Sequence, residues 1–83
     1  KMTLEEVFHV VKENIYAVLP FLEGKEIAIE SSLKELGANS IDRMEIVTLS
    51  MENLNVIIAP NKFADIHNIK GLVNLLLSKV NSC

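Results

Sequence analysis

Residues 20–39 contain Pro20, Gly24 and Gly37, and lie between two stretches whose apolar residues recur at helical spacing. A connection of this length is unusual in a small domain, because ordering loose chain costs entropy that only burial can offset. Phe21, Leu22, Ile27, Ile29, Leu33 and Leu36 are the residues that would pin it to a core. The chain must therefore fold as helices around a long, anchored first loop.

The flanking segments carry their own start and stop signals. Thr3-Leu4-Glu5-Glu6 fits a capping box, with Thr3 as cap and Glu6 reaching back. Leu4, Val7, Phe8, Val11, Ile15, Val18 and Leu19 then predict an amphipathic helix ending near Pro20. A second helix is expected from Asn39 or Ser40, both good caps, to about Leu54. The β-branched run Asn55-Val56-Ile57-Ile58-Ala59 resembles a strand, but a lone strand has no partner, so an extended loop ending at Pro60 is expected. A short helical turn should cover Asn61 to Ile66. Asn68 then caps a last helix with Ile69, Leu72, Val73, Leu76 and Val80 as its apolar stripe. The fold class is all-α: a small bundle of three main helices, one short helix and a long first loop.

The 83 residues suffice for one domain, 1–83, and their 49% apolar content can supply a core. No run of 18 apolar residues predicts a membrane span, and the acidic Met2-Thr3-Leu4-Glu5-Glu6 is unlike a secretion signal. Lys1 reads as an addition ahead of a native Met2, which predicts a free-standing protein; the tail near residues 81–83 is expected to be flexible. Cys83 has no intramolecular disulfide partner and suits a reducing cytoplasm, and is read as a solvated tail thiol. The net charge of −3 argues against nucleic-acid binding. Residues 1–32 carry six acids and three bases, while residues 67–83 carry two lysines and no acid, so an acidic face elsewhere could meet a basic partner.

Chemistry points to Leu33-Lys34-Glu35-Leu36-Gly37-Ala38-Asn39-Ser40-Ile41-Asp42, where a small Gly-Ala pair leads into a serine at a helix start. Ser40 offers a reachable hydroxyl, and its helix start offers free N–H groups and a positive dipole end that favour a phosphate. On that local argument alone, Ser40 is more ordinarily a helix cap worth about 1 kcal/mol. No general base is evident beside it: His9 lies on the first helix and His67 before the last. Asp42, Glu45, Glu52 and the histidines form no recognisable metal spacing.

This segment, continued through Arg43-Met44-Glu45-Ile46-Val47, resembles the signature of acyl carrier proteins, a Leu-Gly-x-Asp-Ser-Leu core followed by an apolar, Glu-bearing helix. Phe63-Ala64-Asp65-Ile66-His67-Asn68-Ile69 resembles the family's third-helix segment, so the likeness spans essentially the whole domain. The resemblance implies an acyl-carrier-like bundle. It implies that a phosphopantetheinyl transferase, needing Mg²⁺, attaches 4′-phosphopantetheine from coenzyme A to Ser40. It implies a tethered substrate for other enzymes rather than an enzyme. Asn39 departs from the family's usual Asp and removes a negative charge beside Ser40, which bears on any transferase or partner that reads that Asp.

The second helix is also the expected docking face. Ser40, Met44 and Met51 are spaced i, i+4, i+11 with Thr48 between, so they share a side. Met44 and Met51 either belong to a wide core stripe or form an exposed, adaptable patch. Ile46, Val47 and Leu54 are better core candidates. Asn39, Ile41, Asp42, Arg43, Met44, Glu45, Thr48, Met51 and Glu52 are the partner-docking candidates. Asp42, Glu45 and Glu52 supply negative charge, and Arg43 breaks the acidic run.

The weak acidity, Asn39, Arg43 and Asn-Ser-Ile-Asp-Arg-Met-Glu-Ile resemble the free-standing donor carriers of polyketide β-branching cassettes. That resemblance implies an acetyl or malonyl thioester delivered to an enzyme like 3-hydroxy-3-methylglutaryl (HMG) synthase. It implies further partners: an acyl transferase and a decarboxylating ketosynthase-like enzyme. A peptidyl, aminoacyl or fatty-acid carrier, or an unmodified helical interaction module, are the alternatives. A monomer is expected.

Overall fold

The computed structural model describes residues 1–82; the expectation for Cys83 lies outside them. Helix α1 spans Leu4–Val18, α2 spans Ser40–Leu54 and α3 spans Ile69–Val80. Two 3₁₀ turns, Pro20–Leu22 and Pro60–Phe63, join them, and there is no strand among the described residues. The second turn is shorter than the expected Asn61–Ile66, and the first was not foreseen.

Each helix starts where a side chain can replace a missing backbone acceptor. The Thr3 hydroxyl accepts from the Glu6 N–H at 3.2 Å, and Glu6 Oε1 accepts from the Thr3 N–H at 2.8 Å. Asn68 Oδ1 accepts from the Gly71 N–H at 2.8 Å. Helix α2 ends because Asn55 takes the left-handed conformation, φ 57°, which Asn tolerates better than most residues.

Helix α1 is central and packs against both other helices; α2 and α3 touch one another less, leaving a cleft between them. Val7, Val11 and Ile15 meet Ile46 of α2 and Ile69, Val73 and Leu76 of α3 in one fully buried cluster. Burying each such side chain is worth roughly 1.5–3 kcal/mol relative to exposure. One polar tie crosses this interface. Asn14 Nδ2 donates to Ser50 Oγ at 3.0 Å and to Asn53 Oδ1 at 2.9 Å, so the buried Asn14 and Ser50 are both satisfied.

The long connection is anchored as its composition requires, by buried Leu22, Ile27 and Leu33 and half-buried Ile29 and Leu36. Phe21 is different: it is 59% exposed and lies over Gly37 rather than in the core. Backbone bonds tie the same loop to α3, where the Ile69 N–H donates to Ser31 O and the Lys70 N–H to Ile29 O, each at 2.8 Å. The loop thereby occupies the first amides of α3 and fixes the approach to α2.

Candidate functional site

The entry to α2 is set by two residues flanking Ser40. Gly37 has φ +104°, a conformation that side chains other than glycine's resist, and it turns the chain out of the loop. Buried Ala38 then seats the chain on the core. Asn39, extended, is the cap: its Oδ1 accepts from the Asp42 N–H at 2.8 Å, and Asp42 Oδ2 accepts from the Asn39 N–H at 3.1 Å. Of the two cap candidates, Asn39 and Ser40, it is therefore Asn39 that caps the helix.

Ser40 is the first helical residue and is exposed. Its Oγ makes no hydrogen bond among the described residues, and neither its N–H nor that of Ile41 has a protein acceptor there. The matching amides of α3 are filled by loop carbonyls. The start of α2 thus presents a free hydroxyl beside two free N–H groups at the positive end of a 15-residue helix. That arrangement fits a phosphodiester on the hydroxyl, since amides and dipole both favour the anion.

The docking candidates divide by orientation. Ile41 and Met44 are 75% and 71% exposed, and Asn39, Glu45, Thr48 and Glu52 are also exposed. They form an outward strip whose apolar residues, Ile41 and Met44, lie nearest Ser40 and whose acids, Glu45 and Glu52, lie further along the helix. Met51 is half-buried against the core and so belongs partly to each of the two readings left open for it. Asp42 is half-buried and engaged in the capping box. Arg43 turns away from the strip: its Nη1 donates to the Ala38 carbonyl at 3.0 Å, bridging α2 to the residue before the cap.

Two depressions flank α2. One, of about 380 Å³, lies between α2, α3 and the loops and is lined by Arg43, Val47, Leu72, Phe63, Lys34 and His67 among others. The other, a groove of about 410 Å³, runs along Thr48, Met51, Glu52, Asn55, Val56 and Ile57. Ile57, 88% exposed, was not among the sequence candidates. The signal was available: Ile57 and Ile58 are neighbours in an extended segment, so one must face outward when the other is buried, as Ile58 is. No group of three metal-ligating side chains occurs among the described residues, and none of their helices is long and apolar enough to cross a membrane.

A bundle that exposes an uncommitted serine at the start of its second helix is the architecture of a carrier domain. Residues 9–76 match the family model described as phosphopantetheine attachment site, and the chain belongs to this family, as an acyl carrier protein rather than a catalyst. It is 40% identical over 81 residues to the polyketide biosynthesis acyl-carrier-protein AcpK of Bacillus subtilis (strain 168), covering 98% of this chain and 99% of that protein. It is 32% identical over 76 residues to acyl carrier protein 1, chloroplastic, of Hordeum vulgare, covering 92% of this chain and 48% of that one. Among solved structures it resembles a chain in the crystal structure of the curacin biosynthetic pathway HMG synthase in complex with acetyl donor-ACP. The TM-score is 0.88 at 33% identity, over 94% of this chain and 100% of that chain. It is thus a phosphopantetheine-bearing carrier that resembles a polyketide-biosynthesis carrier and the acetyl donor carrier of an HMG synthase complex.

Proposed function

We propose that Ser40 bears the phosphopantetheine and that the chain is a donor carrier, presenting an acetyl group to an HMG-synthase-like enzyme in polyketide β-branching. The observation that carries the attachment site is the free Ser40 hydroxyl beside a cap supplied by Asn39. The likeness to AcpK and to the chain in the HMG synthase–donor carrier structure supports the donor role.

Bound through a phosphodiester, the group supplies a terminal thiol that holds an acyl chain as a thioester. The protein's own work is positional. The Asn39–Asp42 box fixes the helix start, so that the Ser40 hydroxyl faces solvent where a phosphopantetheinyl transferase can reach it. The free N–H groups of Ser40 and Ile41 favour the phosphate charge that results. Ile41, Met44 and Thr48 offer apolar contact to a partner, and Glu45 and Glu52 set its orientation by charge. Asn39, Asp42 and Met51 frame this strip. Arg43 contributes through the loop it holds rather than as part of the strip. An acyl transferase and a decarboxylating ketosynthase-like enzyme complete the partner set of this reading.

The test is intact mass after incubation with coenzyme A and a promiscuous phosphopantetheinyl transferase, beside a Ser40→Ala control. One phosphopantetheine on the parent and none on the control is expected. Transfer of acetyl from the loaded chain to an HMG-synthase-like enzyme then tests the donor role. Loading of the Ser40→Ala control would remove Ser40 from the reading, and loading without transfer would remove only the donor role.

A further inference from the structure

Phe21 is held outward by a turn that is well tied. Pro20 fixes one dihedral angle of that turn. Three backbone hydrogen bonds close it: Leu22 N–H to Leu19 O at 3.0 Å, Glu23 N–H to Pro20 O at 3.1 Å and Lys25 N–H to Leu22 O at 2.9 Å. Leu19 and Leu22 are buried, while Phe21 beside them is 59% exposed. Its ring thus forgoes much of the burial that a phenyl group gains in a core.

A lone exposed apolar side chain is ordinary, but this ring has company near Ser40. It lies against Gly37, where a Cβ would stand 3.2 Å from Phe21 Cζ and 3.6 Å from Cε1. Gly37 precedes Ser40 by three residues, at most about 11 Å of chain. Just past Ser40, α2 exposes Ile41 and Met44. Large apolar side chains therefore come to the hydroxyl from two separate elements, the turn after α1 and the start of α2.

The charge beyond each is of the same sign. Residues 23–30 expose Glu23, Glu26 and Glu30 against one base, Lys25, and the α2 strip exposes Glu45 and Glu52. Arg43, the one base of α2, is drawn to the Ala38 carbonyl. Each side of Ser40 thus offers an apolar contact with acids further out. One partner surface, apolar at its centre and basic at its margin, complements both.

Resting on the donor reading, we infer that Phe21 is a second docking anchor for the HMG-synthase-like enzyme, which straddles Ser40 instead of lying along α2 alone. Contacts confined to one helix oppose rotation about that helix poorly. An anchor on a separate element opposes it, and so sets the direction in which the arm leaves Ser40 toward the enzyme.

The experiment uses the parent, Phe21→Ala and Phe21→Leu, each loaded exhaustively from acetyl-coenzyme A by a phosphopantetheinyl transferase, with intact mass confirming the acetylated arm. Acetyl transfer to an HMG-synthase-like enzyme is then measured over a range of carrier concentrations. Phe21→Ala should raise KM about tenfold at an unchanged kcat, as loss of an anchor does, and Phe21→Leu should recover part of the loss. Amide NMR of the labelled parent with added enzyme is the second reading, and it holds even if Phe21→Ala unfolds. Perturbation at Phe21, Glu23 and Gly37 together with Ile41 and Met44 is expected. Equal KM in parent and Phe21→Ala, or perturbation confined to α2, would overturn the inference and leave the donor role standing. A fall in kcat alone would also overturn it, assigning the ring to the shape of the Gly37 turn. Failure of the loaded parent to transfer acetyl would overturn the donor reading and this inference together.

Discussion

Asn39 and Asp42 exchange two hydrogen bonds across the start of α2, Asp42 N–H to Asn39 Oδ1 at 2.8 Å and Asn39 N–H to Asp42 Oδ2 at 3.1 Å. Ser40, between them, contributes nothing to the cap. Stability and loading should therefore separate. Asn39→Ala should cost about 1 kcal/mol, a fall of roughly 4–8 °C in Tm for a domain of this size. Ser40→Ala should stay within about 0.5 kcal/mol of the parent, as an exposed substitution away from any cap does. Thermal unfolding followed by circular dichroism checks both, and an equal fall in Ser40→Ala would identify Ser40 as part of the cap. Asn39→Asp should preserve the fold, because the box needs only one acceptor oxygen at this position.

The Asn14 amide is the polar tie between α1 and α2, donating to Ser50 Oγ and Asn53 Oδ1. Ser50 is fully buried and Asn14 nearly so. Asn14→Ala should lose about 1–3 kcal/mol, the cost of removing these bonds from a buried site. Because the two residues share one bond, Asn14→Ala and Ser50→Ala should not add. Urea unfolding of both single variants and the pair gives the coupling, expected at about 0.5 kcal/mol or more. Strict additivity would mean that solvent already replaces the bond.

At Gly37 a side chain is opposed twice. The φ of +104° is unfavourable for L residues, and a Cβ would stand 3.2 Å from Phe21 Cζ. Gly37→Ala should destabilise by more than about 1 kcal/mol. Adding Phe21→Ala should recover only part of the loss, since the exposed ring can be removed but the backbone strain cannot. Denaturant midpoints of the single and double variants make the comparison. Full recovery would show that crowding by Phe21 is the whole effect.

These particulars show where sequence is sufficient. The three helices were legible because caps and apolar periodicity are local: Thr3, Asn68 and the stripe Ile69, Leu72, Val73 and Leu76 act within one or two turns. Which of Asn39 and Ser40 caps α2 was not legible, because both side chains suit the role and only backbone geometry chooses. Asn14 escaped notice because it sits in an apolar helix face, and its partners are more than 30 residues away. From its neighbours in sequence, Arg43 reads as a docking residue that breaks the acidic run of the exposed face. Its orientation depends on where the folded loop places the Ala38 carbonyl. The basic lining of the cavity is likewise assembled from segments far apart in the chain and has no local signature.

That orientation changes how partner recognition should be tested. A variant combining charge reversal at Arg43 with Met44→Ala would mix loss of a contact with loss of the Ala38 tether. Met44 by itself is a cleaner probe, being 71% exposed and outside the core cluster. If it is a central apolar contact for the HMG-synthase-like enzyme, truncation removes roughly 1–2 kcal/mol of binding and about tenfold in kcat/KM for acetyl transfer. Unfolding should stay within about 0.5 kcal/mol of the parent. Ile57, on the groove beyond α2, serves as the paired probe: Ile57→Ser tests whether the contact extends past the helix end. A fall in transfer for Met44→Ala alone confines docking to the strip beside Ser40, and a fall for both extends it along the groove. Unchanged kinetics in both variants would remove this face from recognition of that enzyme.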